Sequence, residues 1–207
     1  MQHMLHQFRR ECSVGPMKVT RTSKGQAWIV FLAQLPASPS SARVSLWRRL
    51  RTAGAASLMN GVWVLPANGT HKRLFLEIAK TVRSQGGQAS LLSGAEVAGD
   101  AVAIKQKFTA DRAREYEEFQ DRSAAFFAEI VKERKLKKFT FAEIEEVDDD
   151  FAKLSAWLQK ITARDFFPGE HKRKAEETLK RCDAARVAFA TTVYAAEGID
   201  HEEPKGK

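Results

Sequence analysis

Acidic side chains are almost absent from residues 28–92, where Glu77 is the single carboxylate. Eight lysines and arginines lie in the same stretch, so its formal charge is +7, against +8 for the whole chain. A region with so little negative charge favours a polyanionic partner such as nucleic acid. Residues 101–207 differ, because their 21 basic and 22 acidic residues nearly cancel, as expected of solvated helix faces.

Cysteine and long apolar runs are scarce as well. Cys12 and Cys182 lie far apart, which excludes a disulfide framework and indicates reduced thiols in the cytoplasm. No apolar run approaches the roughly 20 residues of a membrane-spanning helix. Neither cysteine has a histidine at ligand spacing, and phosphate-binding glycine loops and paired acid/base motifs are missing. We therefore expect a cytoplasmic protein that needs no membrane, metal or cofactor.

The hydrophobic pattern of residues 27–93 predicts strand, helix, two strands, helix and strand. The apolar run of residues 28–35 is typical of a buried strand. Ser38 and Pro39 then supply a helix N-cap and a proline at the first helical position. Asn60-Gly61 predicts a tight hairpin turn. This βαββαβ order is that of the ferredoxin-like split βαβ arrangement, so we expect a small, basic ferredoxin-like domain.

The first predicted helix, residues 39–53, has Leu46, Trp47 and Leu50 on one apolar face. Tryptophans can stack on bases, as in proteins that bind single strands. Trp28, Trp47 and Trp63 all lie in apolar runs, however, and this favours core packing for each of them. Truncation of Trp47 to alanine should then cost about 3–5 kcal/mol of stability.

The second half of the chain has helical periodicity throughout. Thr140 and Glu143 form a capping box at the start of one of three predicted helices, so we expect a three-helix bundle. The fold class is therefore α+β. The predicted boundaries are a disordered leader (residues 1–26, with Met17 as a possible start), the ferredoxin-like domain (27–93), a linker (94–107), the bundle (108–198) and a polar tail (199–207).

Four cations of the first domain are candidates for nucleic-acid binding. Arg48 and Arg49 point away from the apolar stripe of the first helix, and Lys72 and Arg73 open the second helix. Guanidinium groups match phosphate oxygens in pairs, so these residues predict a face that contacts the DNA backbone. The alternative is an ordinary solubilising surface.

Arg43 and Arg51 require a different explanation. Arg43 falls on the same side of its helix as Trp47 and Leu50, and Arg51 borders that side. An arginine placed there either pairs with a carboxylate or backbone carbonyls, or contributes to an anion site near the helix N-terminus. The structural pair is the favoured interpretation for Arg43.

Several motifs resemble the N-terminal region of the ChrB family, regulators of bacterial chromate resistance. They are Arg43-Val-Ser-Leu-Trp-Arg-Arg-Leu50, Gly54-Ala55, Gly61-Val-Trp-Val-Leu-Pro66, Lys138-Phe-Thr-Phe-Ala-Glu-Ile-Glu-Glu146 and Ala163-Arg-Asp165. The first part is also similar to the middle domain of PaaX-type repressors and to small CRISPR-associated nucleases, which share the ferredoxin-like fold.

The resemblance implies a cytoplasmic transcription regulator that binds DNA, with chromate or another oxyanion as a possible ligand and a homodimer as a possible assembly. Residues proposed for chromate sensing in the family lie in a later domain and have no counterpart here, so none is carried over. Alternatives are a non-catalytic protein-interaction module or a nucleic-acid-cleaving enzyme. The CRISPR-type nucleases bind a catalytic metal with an acid at the end of the first strand, but residues 33–37 contain no carboxylate. We therefore expect no enzymatic activity.

Overall fold

The computed structural model of the chain describes residues 26–95 and 101–198. The predicted leader, apart from Gln26, and the predicted tail lie outside these residues. The strands are β1 (Trp28–Gln34), β2 (Ala56–Met59), β3 (Val62–Pro66) and β4 (Gln88–Ala95). The helices are α1 (Ser40–Thr52), α2 (Gly69–Ser84), α3 (Ala101–Leu136), α4 (Phe141–Ala163) and α5 (Glu170–Ala196).

The four strands form one antiparallel sheet in the order β2-β3-β1-β4. The hairpin between β2 and β3 turns at Asn60-Gly61, as predicted, and Gly61 has a φ of +74°. A Cβ at Gly61 would lie 2.6 Å from the carbonyl oxygen of Ala33, so the turn also needs glycine for close backbone approach. The predicted α+β class is confirmed: a small antiparallel sheet is combined with several helices.

A first hydrophobic core forms where the sheet meets α1 and α2. Phe31 of β1 stacks on Phe75 of α2, with ring centroids 5.0 Å apart, and Leu50 of α1 is fully buried in the same cluster. A second core lies between α3, α4 and α5, around residues such as Phe119 and Phe189. These two clusters follow the apolar stripes that the helical periodicity predicts.

The predicted linker at residues 94–107 is wrong for most of its length. β4 continues to Ala95, and α3 begins at Ala101. The sequence predicts a linker there because the segment is rich in small residues, but alanine is also the best helix former. Ile104 and Phe108, four residues apart, are buried in the first core, where the Phe108 ring stacks on Trp28 at 5.6 Å. One long helix therefore contributes to both cores.

The predicted start of the first helix is one residue early. Pro39 occupies the N-cap position and α1 begins at Ser40, with no side-chain cap hydrogen bond. The prediction for α4 is confirmed at its cap, since the Thr140 hydroxyl accepts a hydrogen bond from the Glu143 amide at 3.4 Å. Helix ends differ by a residue or two when no side chain defines them.

The core placement of Trp47 is also wrong. Trp28 and Trp63 are buried as predicted, but 52% of Trp47 is exposed. Leu46 and Leu50, four residues apart, face the core, and Trp47 lies on the flank of that stripe. The indole lines an open groove together with Asn60 of the hairpin turn and the adjoining strand ends, and this leaves half of the residue exposed.

Candidate nucleic-acid interface

The outer face of α1 carries two consecutive exposed arginines. Arg48 has no hydrogen bond or ion pair within the described part of the chain. Arg49 donates from Nη1 to the Thr81 hydroxyl of α2 at 3.0 Å, which joins the two helices. A neutral hydroxyl leaves the guanidinium charge uncompensated, so both arginines remain available to an anion.

The first five residues of α2 include the other two predicted cations. Lys72 and Arg73 are exposed, and neither has an ion pair to any residue that the structure describes. No acidic residue lies in the first turn of this helix, so the cations add to the positive end of the helix dipole. Asn68 caps the helix by accepting from the His71 amide at 2.7 Å. This helix start can attract a phosphate group.

The structure does not gather the four cations into one compact cluster. Arg49 contacts α2 at Thr81, eight residues beyond Arg73, which corresponds to about 12 Å along a helix. The two pairs therefore lie on contacting helices but at separated points, as contacts to different phosphates would require.

Two further cations lie closer to the Arg49 contact, and sequence reasoning did not select them. Lys80 forms an ion pair with Glu77 at 2.9 Å, and Arg83 donates to the Ala89 carbonyl at 2.7 Å. Both lie on α2 within two residues of Thr81. Apart from Glu77, this part of the helix also has no acidic residue, and only the contact between α1 and α2 shows that it adjoins Arg49.

Arg43 makes the backbone pairing that the sequence favoured. Its guanidinium donates to the carbonyl oxygen of Pro36 at 2.7 Å and also to that of Ala37. These bonds tie the first turn of α1 to the segment that follows β1. An anion at Arg43 would have to share a guanidinium that already has two acceptors.

Arg51 connects α1 with the helical half of the protein. Its Nη1 lies 3.1 Å from Oδ2 of Asp111 in α3, and its guanidinium lies 5.9 Å from the centre of the Trp47 ring. Its charge therefore has a carboxylate partner, unlike the charges of Arg48 and Arg49. The anion role predicted for Arg51 remains a prediction.

The same part of α3 contains a more buried ionic network. Oε2 of Glu115 lies 2.9 Å from Nη1 of Arg112 and 3.0 Å from Nη2 of Arg164. Burial lowers the pKa of Arg112, and Arg164 adds to this effect, while Glu115 opposes it. Arg164 belongs to one of the motifs quoted above, so that motif has a structural role in joining α3 to the end of α4.

Within the described residues, no group of three or more His, Cys, Asp or Glu side chains is placed to hold a metal ion. The end of β1 carries Ala33 and Gln34, which offer no carboxylate there. In the described ranges, no helix combines the length and the apolar character that crossing a membrane requires.

Comparisons with known proteins agree on one family. A family profile described as "Protein ChrB, N-terminal" matches residues 43–200. The chain is also 27% identical over 170 residues to the protein described as "Protein ChrB" of Cupriavidus metallidurans. That alignment covers 82% of this chain and 49% of the relative, so the chain spans about half the length of the curated relative it matches.

Proposed function

The chain belongs to the ChrB family, and from this premise we propose that it is a DNA-associated transcription regulator linked to chromate resistance. It contacts DNA through the exposed cations of α1 and α2. The protein acts in the cytoplasm without catalytic activity, and a homodimer and an oxyanion ligand belong to the same proposal. The chromate link rests on what the family resemblance implies.

One observation carries the DNA-binding part of the proposal. Arg48, Lys72 and Arg73 are exposed cations with no ionic partner among the described residues, and they lie in a stretch, residues 28–92, whose single acidic residue is Glu77. Elsewhere in the chain, many exposed cations have acidic neighbours, such as Lys153 with Asp150 at 2.8 Å. Phosphate contacts of such unpaired cations release counterions, and this release supplies much of the affinity of proteins for DNA.

The fold supports a finer classification of the two halves. The antiparallel order β2-β3-β1-β4, with a helix after β1 and another after β3, is consistent with a ferredoxin-like domain. Helices α3, α4 and α5 around the second core are consistent with a three-helix bundle. In this arrangement the first domain contacts DNA and the bundle supports it through α3.

A protein-interaction module is the second candidate, and one apolar patch favours it. The C-terminal part of α3 exposes Val131 and Leu136, which line a groove of about 580 Å³ together with Phe127. Apolar side chains grouped in this way are common at protein interfaces. A nucleic-acid-cleaving enzyme is less favoured, because residues 33–37, at the end of β1, contain no carboxylate to hold a catalytic metal.

The test is a salt titration of binding to a duplex promoter fragment. Wild type is compared with Arg48→Ala/Arg49→Ala and with Lys72→Ala/Arg73→Ala. Each lost phosphate contact should lower the slope of log affinity against log salt by about 1. The matched control is Arg134→Ala/Lys135→Ala, which removes two neighbouring exposed cations from the end of α3.

Both first-domain double variants should bind more weakly than the control at low salt. Equal slopes for all four proteins would refute the proposal that the exposed cations of α1 and α2 contact DNA phosphates. If wild type does not bind duplex DNA, the interaction module becomes the better proposal.

A further inference from the structure

A groove of about 600 Å³ lies at the end of the sheet where β1 and β2 finish and β3 and β4 begin. Arg43, Leu46 and Trp47 of α1 line one part of it, and the hairpin turn and strand ends line the rest. Its volume lies within the usual range of ligand sites. The proposed phosphate contacts lie outside this groove, because Arg48 and Arg49 are not among its lining residues.

Trp47 gives this groove an aromatic surface. The side chain is 52% exposed, although a tryptophan in a folded domain usually buries most of its area. The Arg51 guanidinium lies 5.9 Å from the ring centre and is itself held by Asp111. The guanidinium therefore lies beside the indole, and the exposed remainder of the ring is available to a ligand.

The polar lining consists mainly of primary amides. Gln34 and Gln88 are paired across β1 and β4, but alternation from Phe31, which stacks on Phe75 of α2, turns their side chains to the face of the sheet opposite the helices. Asn60 lies in the hairpin turn at the same end of the sheet. Within the described residues, none of these three side chains has a hydrogen bond. Each amide offers both donors and an acceptor, the combination that matches the edge of a nucleobase.

Charge also favours nucleic acid over other planar ligands. Arg43 is the single charged side chain among the lining residues that the structure describes, so the groove contains no carboxylate to repel a phosphate. Arg48 follows Trp47 directly in the chain and is exposed without an ionic partner. A nucleotide with its base on Trp47 would therefore have a cation nearby for its phosphate.

We infer that the Trp47 groove binds an unpaired nucleobase of a DNA strand, with the indole as the stacking surface and the Asn60 amide at the base edge. This inference rests on the proposed DNA-binding function and adds a base contact to it. In an intact duplex the bases stack on one another, so the groove serves single-stranded or locally unpaired DNA.

The experiment compares two short single strands that differ only in their bases. One is a fluorescently labelled oligodeoxyadenylate of about five nucleotides, and the other has the same backbone without bases. Full-length wild type should bind the base-bearing strand about tenfold more tightly or better, the range expected for stacking on an aromatic side chain. Trp47→Ala should remove this difference, and Trp47→Phe should retain most of it.

Val44→Ala is the matched control, because Val44 is an exposed apolar residue of α1 that does not line the groove. It should keep the wild-type preference for the base-bearing strand. Equal binding of the two strands by wild type, or an unchanged preference in Trp47→Ala, would overturn the base site. Neither result affects duplex binding through Arg48 and Arg49. A different result would be that wild type fails to bind duplex DNA but still prefers the base-bearing single strand, while Trp47→Ala removes that preference. This result would overturn the proposed duplex face and leave the base site standing.

Discussion

The hydroxyl of Tyr116 donates a hydrogen bond to Oδ2 of Asp165 at 2.9 Å, and this bond joins the middle of α3 to the segment after α4. The other carboxylate oxygen of Asp165 accepts from the Phe167 amide at 3.2 Å. Phe167 in turn packs on Trp28 of β1, with ring centroids 5.9 Å apart. Asp165 and its neighbours therefore connect the helical half to the sheet, in addition to the stacking of Phe108 on Trp28.

The first prediction concerns alkaline pH. Burial raises the pKa of Tyr116, and the hydrogen bond and charge of Asp165 raise it further. A tyrosine in the unfolded chain loses its proton near pH 10. Above that pH the unfolded state is favoured, because it releases a proton that the folded state retains. The free energy of unfolding should therefore fall as pH rises through and above about 10.

Urea unfolding of wild type and Tyr116→Phe between pH 7 and 11 tests this prediction. The fall above pH 10 should be shallower in Tyr116→Phe. Burial also raises the pKa of Cys182, and this too lowers the free energy of unfolding at alkaline pH. That contribution is common to both proteins. Parallel stability curves would show that Tyr116 ionises as freely in the folded state as in the unfolded state.

The second prediction concerns the close approach of α1 and α4. Gly54 has a φ of +75°, and a Cβ there would lie 2.7 Å from Cβ of Arg164 and 3.2 Å from the Phe166 ring. Gly54→Ala therefore combines an unfavourable backbone conformation with a steric clash, and it should cost about 2–4 kcal/mol of stability.

Gly198→Ala separates these two effects. Gly198 has a φ of +71°, but no heavy atom that the structure describes lies within 4 Å of its added Cβ. Gly198→Ala should therefore cost only about 1 kcal/mol of stability, which is the cost of the unfavourable backbone conformation alone. Chemical denaturation measures both variants. Equal losses would mean that contact with Arg164 contributes nothing to the requirement for glycine.

The order of strands and helices could be predicted from local signals, because each boundary has its own cause. Asn60-Gly61 specifies a turn, and the Thr140 side chain specifies a helix start. The segment before Phe108 could not be predicted in this way. Its alanines suit a linker as well as a helix, and only its packing against Trp28 decides for the helix.

The candidate site could be predicted only in part, since charge is visible in a sequence but partners are not. The exposed positions of Arg48 and Arg49 follow from helical periodicity. The pairing of Arg51 with Asp111, 60 residues later, depends on tertiary contact. The same limit explains the wrong placement of Trp47, because periodicity gives the direction of a side chain and does not show that an open groove lies beside it.

The third prediction compares two neighbours on α1. Leu50 is fully buried, and Leu50→Ala should cost about 2–5 kcal/mol because it leaves a cavity in the first core. Trp47→Ala should cost less, under about 2 kcal/mol, because half of the indole already contacts solvent. Thermal or urea unfolding of both variants checks the order. A larger loss of stability for Trp47→Ala than for Leu50→Ala would mean that Trp47 is a core residue and does not line the groove.

The fourth prediction separates a structural arginine from the arginines proposed to bind DNA. Arg51 and Asp111 form a part-buried ion pair at 3.1 Å, and the arginine side chain is 40% exposed. Solvent screens such a pair, so a double-mutant cycle with Arg51→Ala and Asp111→Ala should give a coupling of about 0.2–1 kcal/mol in stability. Because its charge is already compensated, Arg51→Ala should change the salt dependence of duplex binding less than Arg48→Ala does. A larger change in slope for Arg51→Ala would mean that Arg51 leaves Asp111 to contact phosphate, and the DNA face would then extend along α1 towards α3.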